Sequence, residues 1–418
     1  MKVTILTLGC RVNQSESDII EGNLKKFGCF VVDLSEHPDY CIVNTCTVTA
    51  KSDYQSRQLI RRAVRAGAKV IVTGCYSQLR SEEIKNIQGV FRIVNNTNKL
   101  SIINMIVNNN ESITFTSGSR SRPYLKIQDG CNFSCTYCTV PFARGKSRSL
   151  GTLEVIHRAR EIEAAGYHEI VLTGIHLGLY GYDLKHKSKL SEILKTLLNK
   201  TNLKRIRLSS IEIKEIDNEL IELLQEERIC KHIHLPLQSG DDDILSVMNR
   251  MYSSKDYLSI VENIIKKVSD IAIGTDVIVG FPGEGDREFK NTKRLLDSLP
   301  ITYMHIFPFS PRPNTFAYKL ANQNTSSVKS ERLSELKALS DRKRMAYMVS
   351  QVNKTLDVII EEKGTDHTSL GTSSNYLKVK MFSNGYPKGA LVRVRISGIE
   401  ENCLRGDSVE NEKHVDFK

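Results

Sequence analysis

Apolar and polar positions along the first 110 residues fall into short apolar runs, each followed by a helical stripe. Runs at 3–8, 31–34, 41–44 and 70–73 read as strands, and the apolar spacing at 14–28, 52–66 and 81–87 reads as amphipathic helix. Alternating strands and helices predict an open parallel α/β sheet covered on both faces over residues 1–110. Six further strand-like runs, at 124–128, 169–173, 205–208, 232–237, 271–279 and 303–309, occupy residues 123–350. Helical stripes separate most of them, near 152–165, 190–199, 214–227, 241–249, 255–268 and 286–297, and a charged helix follows at 327–350. Six βα units are too few to close an eight-stranded barrel, so a partial barrel is expected. Residues 352–418 switch to β signals, at 355–362, 376–381 and 391–396, with glycines at 364, 371, 385, 389, 398 and 406. That is the pattern of a small β-barrel. The segment 107–122, rich in Asn and Ser, reads as a linker.

Length supports this division, because 418 residues exceed one ordinary core. No stretch approaches the roughly 18 apolar residues of a membrane span. The opening MKVTILTLGC runs straight into RVNQSES, so it reads as a first strand and not a signal peptide. A cytoplasmic protein with no membrane partner is expected. The net charge of +11 permits a polyanionic partner. Two basic runs stand out: Arg57, Arg61, Arg62, Arg65 and Lys69, then Arg120, Arg122, Lys126, Arg144, Lys146 and Arg148. Each run reads equally well as a solvated face.

Ten cysteines in a reducing compartment point to metal or catalytic roles where they cluster. Cys131, Cys135 and Cys138 form a CxxxCxxC triplet just past the first strand of the middle block. Three thiolates on one loop, with no fourth nearby, suit a 4Fe-4S cluster with one open iron. Zinc would want a fourth ligand to close its shell. The second set is dispersed. Cys10, Cys46 and Cys75 each lie just beyond the carboxyl end of an expected strand, and in an open parallel sheet those ends share one edge. Cysteines 36 and 29 residues apart could therefore converge on a second cluster. Cys29, Cys41, Cys230 and Cys403 have no such placement and read as packing residues.

The CxxxCxxC triplet, with Tyr137 before its last cysteine, resembles the signature of the radical S-adenosylmethionine (SAM) superfamily. That resemblance implies that the open iron binds SAM and that an electron splits it to a 5′-deoxyadenosyl radical, with Tyr137 beside the adenine. Together the two triplets resemble the methylthiotransferase family, whose members carry an N-terminal methylthiotransferase domain, a radical SAM partial barrel and a C-terminal TRAM β-barrel. The stretches TLGCRVNQSES (7–17) and KIQDGCNFSCTYCTVPFARGKSRS (126–149) are most similar to the tRNA N6-threonylcarbamoyladenosine (MtaB-type) branch.

The resemblance implies two 4Fe-4S clusters, SAM, and insertion of a methylthio group at C2 of the modified adenosine at tRNA position 37, next to the anticodon. It further implies a sulfur donor and an electron donor such as a flavodoxin or ferredoxin. LTGIHLGLYG (172–181) would set Thr173 and Gly174 near the SAM amino group. RLSSIE (207–212) would offer Ser210 and Glu212 to the ribose, and TDVIVGFPGE (275–284) would bring Gly280 and Pro282 against the adenine. His232 and His234, on HLPLQSG and its strand, read as packing. A substrate bearing a carboxylate calls for a nearby cation, for which Arg144, Lys146 and Arg148 are the first candidates. Alternatives are isopentenyladenosine in tRNA or ribosomal protein S12 as substrate, or a non-enzymatic iron–sulfur RNA-binding protein. Residues 352–418 hold 10 Lys/Arg and 10 Asp/Glu. Either Lys378, Lys380, Arg393 and Arg395 give that barrel one basic face, or RNA contacts lie mainly elsewhere.

Overall fold

The computed structural model describes residues 1–107, 118, 120–364, 367–382 and 385–409, so most of the expected linker lies outside the described residues. Strands β1 (Lys2–Thr7), β2 (Phe30–Val31), β3 (Tyr40–Thr45), β4 (Lys69–Gly74) and β5 (Val90–Ile93) form a parallel sheet in the order β2-β1-β3-β4-β5. Helices α1 (Arg11–Lys26), α2 (Ala50–Arg65) and α3 (Cys75–Leu79) follow β1, β3 and β4, three strands that are neighbours in the sheet. One apolar cluster, with Ile60, Val70 and Val72, packs on one face of this sheet; another, with Ile20, Leu24 and Ile71, packs on the other. Such two-sided burial explains why the strands read as continuous apolar runs.

The middle of the chain adds β6 (Tyr124–Lys126), a short antiparallel pair β7 (Gln128–Asp129) and β8 (Arg148–Ser149), then β9 (Glu169–Thr173), β10 (Arg205–Leu208), β11 (His232–His234), β12 (Ala272–Val279) and β13 (Tyr303–Pro308). Two parallel three-stranded sheets, β10-β9-β6 and β11-β12-β13, are joined by a parallel bridge between Ser210 and His234. The result is a six-stranded partial barrel in chain order. Ile170, Leu172, Ile206, Leu208, Ile233 and Val277 point outward into the largest core. The alternate residues Glu169, Arg205, Arg207, His232, His234 and Asp276 therefore point into the barrel, since successive strand side chains take opposite faces.

Strands β14 (Thr355–Lys363), β15 (Thr368–Ser373), β16 (Lys378–Phe382), β17 (Leu391–Glu400) and β18 (Cys403–Ser408) close a small barrel in the order β14-β15-β16-β18-β17. It sits against the partial barrel through guanidinium contacts. Arg205 and Arg207 donate to the carbonyls of Asp357, Thr372, Ser373 and Ser374. Arg122 bonds Glu361 at 2.6 Å.

The second basic run is thus only partly a surface feature. Arg120 pairs with Asp18 and Lys126 with Glu16 and Asp129. Arg144, almost fully buried, pairs with Glu16 and Asp129. These charges join units of the fold to one another, and the expectation that Arg144 is free to meet a substrate carboxylate is corrected. Charge density in a sequence does not reveal whether acids lie opposite it. The first run behaves differently: Arg61, Arg62, Arg65 and Lys69 are exposed, and none of them has an ion-pair partner among the described residues.

Candidate active site

The N-terminal cysteines follow three adjacent strands. Parallel strands lie about 4.8 Å apart, so the ends of β1, β3 and β4 lie within about 10 Å of one another. Cys10 opens α1, Cys46 follows β3 and Cys75 opens α3. Cys46 senses the charge of both Cys75 and Cys10; burial pushes its thiol up to about 11. Close approach explains the glycines that precede two of these cysteines. Gly9 and Gly74 both sit at φ 102°, and a Cβ on Gly74 would stand 2.3 Å from the carbonyl oxygen of Thr45. On Gly9 it would meet Cys46 Cβ at 2.9 Å. Asn13 pins the same edge by donating to the carbonyls of Leu8 and Thr45.

A buried charged network supports this edge. Glu16 accepts from Lys99, Lys126 and Arg144. Burial raises its carboxyl, but these three cations outweigh that and hold it well below its usual range. Arg144 also lies beside Cys75, where its charge opposes the upward push of burial on the thiol. From the partial barrel, Arg312 donates to Thr47 at 2.8 Å and pairs with buried Asp53, clasping the loop after Cys46.

Cys131, Cys135 and Cys138 line a cavity of about 680 Å³. Each sulfur has donors or cations facing it. Phe133 N–H approaches Cys131 Sγ at 3.4 Å, Val140 N–H approaches Cys138 Sγ at 3.4 Å, and Arg250 Nη1 approaches Cys135 Sγ at 3.4 Å. His176 Nδ1 lies 3.5 Å from Cys131 Sγ while its Nε2 meets Glu215 at 2.9 Å. Burial would lower this imidazole, but Cys131 and Glu215 raise it to about 9. Burial raises the Cys138 thiol to about 12.

Neither cysteine triplet is built for a single ion. Among the described residues only His234, Asp276 and His305 bring three ligand atoms within 4.8 Å of one another. Tetrahedral zinc, with bonds of about 2.3 Å, would hold its sulfurs about 3.8 Å apart. Wider thiols with amide and guanidinium donors aimed at them fit a polynuclear cluster.

Tyr137 sits edge-on to Phe281 at 6.3 Å and shares a cavity of about 190 Å³ with Cys138, Gln238 and Asp276. Val48 and Thr49, just after Cys46, line the same cavity, which therefore borders both Cys138 and the loop after Cys46. Thr173 ends β9, and Gly174 follows so closely against Gln128 that a Cβ would stand 2.8 Å from its Oε1. Glu212 pairs with Arg250, although burial still raises its carboxyl. Ser210 is exposed and bridges to His234. Gly280 donates its N–H to Glu284 at 2.7 Å, and Pro282 is buried next to Phe281; neither lines the cavities that border Cys131, Cys135 and Cys138.

Several neighbours escaped the sequence. His176 lies inside the segment LTGIHLGLYG, and Arg250 sits in the unremarkable stretch NRM. His232 is a packing residue as expected: it meets Tyr303 Oη at 2.8 Å, and burial keeps it neutral. His234 does more than pack, because it meets Asp276 at 3.0 Å and stacks on His305.

A six-stranded parallel partial barrel whose first strand leads into three cysteines defines a radical SAM protein, and the pattern of the Radical SAM superfamily matches residues 125–296. Residues 2–95 match the pattern described as Uncharacterized protein family UPF0004. Threonylcarbamoyladenosine tRNA methylthiotransferase MtaB of Aquifex aeolicus is 38% identical, over 95% of this chain and 100% of its own length. The protein of the same name from Bacillus subtilis is 37% identical, over 94% and 93%. The chain belongs to the threonylcarbamoyladenosine tRNA methylthiotransferase family. Among solved structures, the radical S-adenosylmethionine methyltransferase TsrM from Kitasatospora setae shares the fold, with a TM-score of 0.57 at 15% identity over 76% of this chain and 77% of that one. No helix among the described residues is long and apolar enough to cross a membrane.

Proposed function

We propose that this chain replaces the C2–H of N6-threonylcarbamoyladenosine at position 37 of tRNA with a methylthio group. The observation that supports it most is the pair of three-cysteine sets, one on the loop after β7 and one at the ends of β1, β3 and β4, with a cavity that borders Cys138 and the loop after Cys46. Cys131, Cys135 and Cys138 would hold one 4Fe-4S cluster, and Cys10, Cys46 and Cys75 the other. When bound, the clusters and SAM supply the one-electron cleavage of SAM and the sulfur to be transferred.

The chain's own residues bind and orient. Arg250, with the amides of Phe133 and Val140, offsets negative charge at the first triplet. Gln128 fixes that loop by donating to Gly130 O and accepting from His176 N–H. Tyr137, Thr173, Gly174, Ser210, Glu212, Gly280 and Pro282 are the proposed SAM-binding residues. An anticodon-loop base is unpaired, so it can be splayed into the cavity beside Cys138 and the loop after Cys46. The exposed Arg61, Arg62 and Arg65 of α2 are suited to RNA phosphates. A flavodoxin- or ferredoxin-like electron donor, a sulfur donor and a cytoplasmic setting belong to the same proposal.

Mass analysis of nucleosides from bulk tRNA with and without the gene tests it. The methylthio form of threonylcarbamoyladenosine should disappear on deletion and return with the gene. Its persistence, or loss of methylthio-isopentenyladenosine instead, would reject the assignment.

A further inference from the structure

This inference rests on the substrate reading above. A threonylcarbamoyl group ends in a carboxylate, so a cavity that prefers it needs a cation with donors to spare. Most arginines between the cysteine triplets and the barrel floor are already engaged. Arg144 is held by Glu16 and Asp129, Arg312 by Asp53, Arg250 by Glu212, and Arg207 by Glu169.

Arg11 is different. It follows Cys10 directly and begins α1. No carboxylate pairs with it among the described residues. Its Nη2 donates to Tyr376 Oη at 3.0 Å, and its guanidinium lies over the same ring, 5.6 Å from the centroid. That leaves four of about five N–H donors without a protein acceptor. Arg11 is half-exposed, and none of its nitrogens is a buried atom without a partner.

Tyr376 comes from the C-terminal barrel and reaches across to the floor of the partial barrel. Its ring packs on His232 at 4.4 Å and near Tyr303 at 5.8 Å. It holds φ at 65°, uncommon for a bulky residue. A backbone cost of this kind persists where the surroundings fix the side chain.

We propose that Arg11 binds the carboxylate of the substrate's N6 substituent through a two-pronged bond, and that Tyr376 positions its guanidinium. A planar guanidinium matches a carboxylate with two parallel N–H bonds, which a lysine cannot reproduce. Because Arg11 adjoins Cys10, the residue that reads the side chain would sit one position from the triplet assigned to sulfur transfer. Recognition would then draw on all three parts of the chain at one point.

The test uses cluster-loaded enzyme, SAM and three anticodon stem–loops. One carries threonylcarbamoyladenosine, one its carboxyl methyl ester, and one plain adenosine. The readout is the ratio of kcat/KM for acid over ester, taken on one preparation so that incomplete cluster loading affects both terms alike. Wild type should favour the acid by roughly 10- to 100-fold, the range for a hydrogen bond to a charged group. Arg11→Gln should bring the ratio near one, and Arg11→Lys should retain part of it. Tyr376→Phe, which keeps the ring but frees the guanidinium, should lower the ratio several-fold. An unchanged ratio in Arg11→Gln overturns the inference. So does an equal loss on all three RNAs with a smaller salt slope, the mark of a phosphate contact. If wild type modifies the plain adenosine RNA and ignores the threonylcarbamoyl one, the substrate reading itself falls and takes the inference with it.

Discussion

Replacing Glu169 with glutamine should loosen the C-terminal barrel from the partial barrel. Glu169 is fully buried at the start of β9, where it pairs with Arg205 at 2.5 Å, Arg207 at 2.8 Å and Arg122 at 3.6 Å. Those arginines in turn bond the carbonyls and Glu361 of the C-terminal barrel. Burial alone would raise the carboxyl, but Arg205, Arg207 and Arg122 outweigh it and hold it at about 2, against an ordinary 4.5. At about 1.4 kcal/mol per unit, that difference stabilises the folded state by about 3 kcal/mol at neutral pH. Breaking a buried pair by removing one partner costs about 3–5 kcal/mol in general, so an effect of a few kcal/mol is expected. The folded carboxyl is the more acidic one. Its contribution is therefore complete above about pH 4.5 and fades as pH falls toward about 2. Hydrogen exchange of amides in β14 to β17 measures the opening free energy at neutral pH. Denaturant midpoints of cluster-free protein between pH 3 and 7 then follow the difference between wild type and variant. The reasoning fails if Glu169→Gln changes barrel opening by less than about 0.5 kcal/mol, the ordinary scatter of surface changes. It fails too if the difference does not shrink below about pH 4.5.

Anaerobically reconstituted protein should hold close to eight irons, and alanine at Cys131, Cys135 and Cys138, or at Cys10, Cys46 and Cys75, should leave about four; full iron in the second variant would remove the N-terminal cluster. With dithionite and SAM, that second variant should still release 5′-deoxyadenosine but yield no methylthio product, whereas the CxxxCxxC variant should yield neither. Arg144→Met should deplete iron at the N-terminal site, since it leaves Glu16 short of a buried partner at a cost of about 3–5 kcal/mol; a variant with full iron and altered base selectivity would restore Arg144 as a substrate contact. Gly74→Ala should likewise reduce iron to about four, because the nearest atoms its Cβ would meet are the backbone of Thr45, which cannot swing aside.

The sequence exposed most of this architecture because burial on both faces of a parallel sheet leaves long apolar runs. The strands expected at 169–173 and 205–208 have those bounds. β15 and β18 were missed because TSLGTS and CLRGDS are polar and carry glycine, so their buried positions are mostly not apolar ones. α3 was missed because it starts straight from β4 at Gly74 and Cys75, with no capping side chain to announce it. The dispersed cysteines could be read because each follows a strand, a feature that survives without any knowledge of sheet order. What could not be read was pairing across the fold. Arg144, Arg122 and Arg312 look like surface charge in the sequence, yet their partners lie 128, 239 and 259 residues away.

The inner face of the partial barrel explains why these long-range pairs are needed. A sheet this short of closure leaves one face without helices, and here that face carries Glu169, Arg205, Arg207, His232, His234 and Asp276. Buried charges without partners are strongly disfavoured, so the face must be answered from elsewhere in the chain. At the floor the answer is the C-terminal barrel, through its carbonyls and Tyr376. At the cysteine edge it is the N-terminal helices α1 and α2, through Glu16 and Asp53. Between floor and edge the charges are balanced only locally, by His234, Asp276 and His305, and there the cavity stays open. A polar inner face therefore serves two ends: it docks the flanking units, and where docking stops it leaves Asp276 facing the cavity beside Cys138. Arg11, next to Cys10 in the N-terminal unit, bonds Tyr376 of the C-terminal one, so its geometry depends on that dock being made.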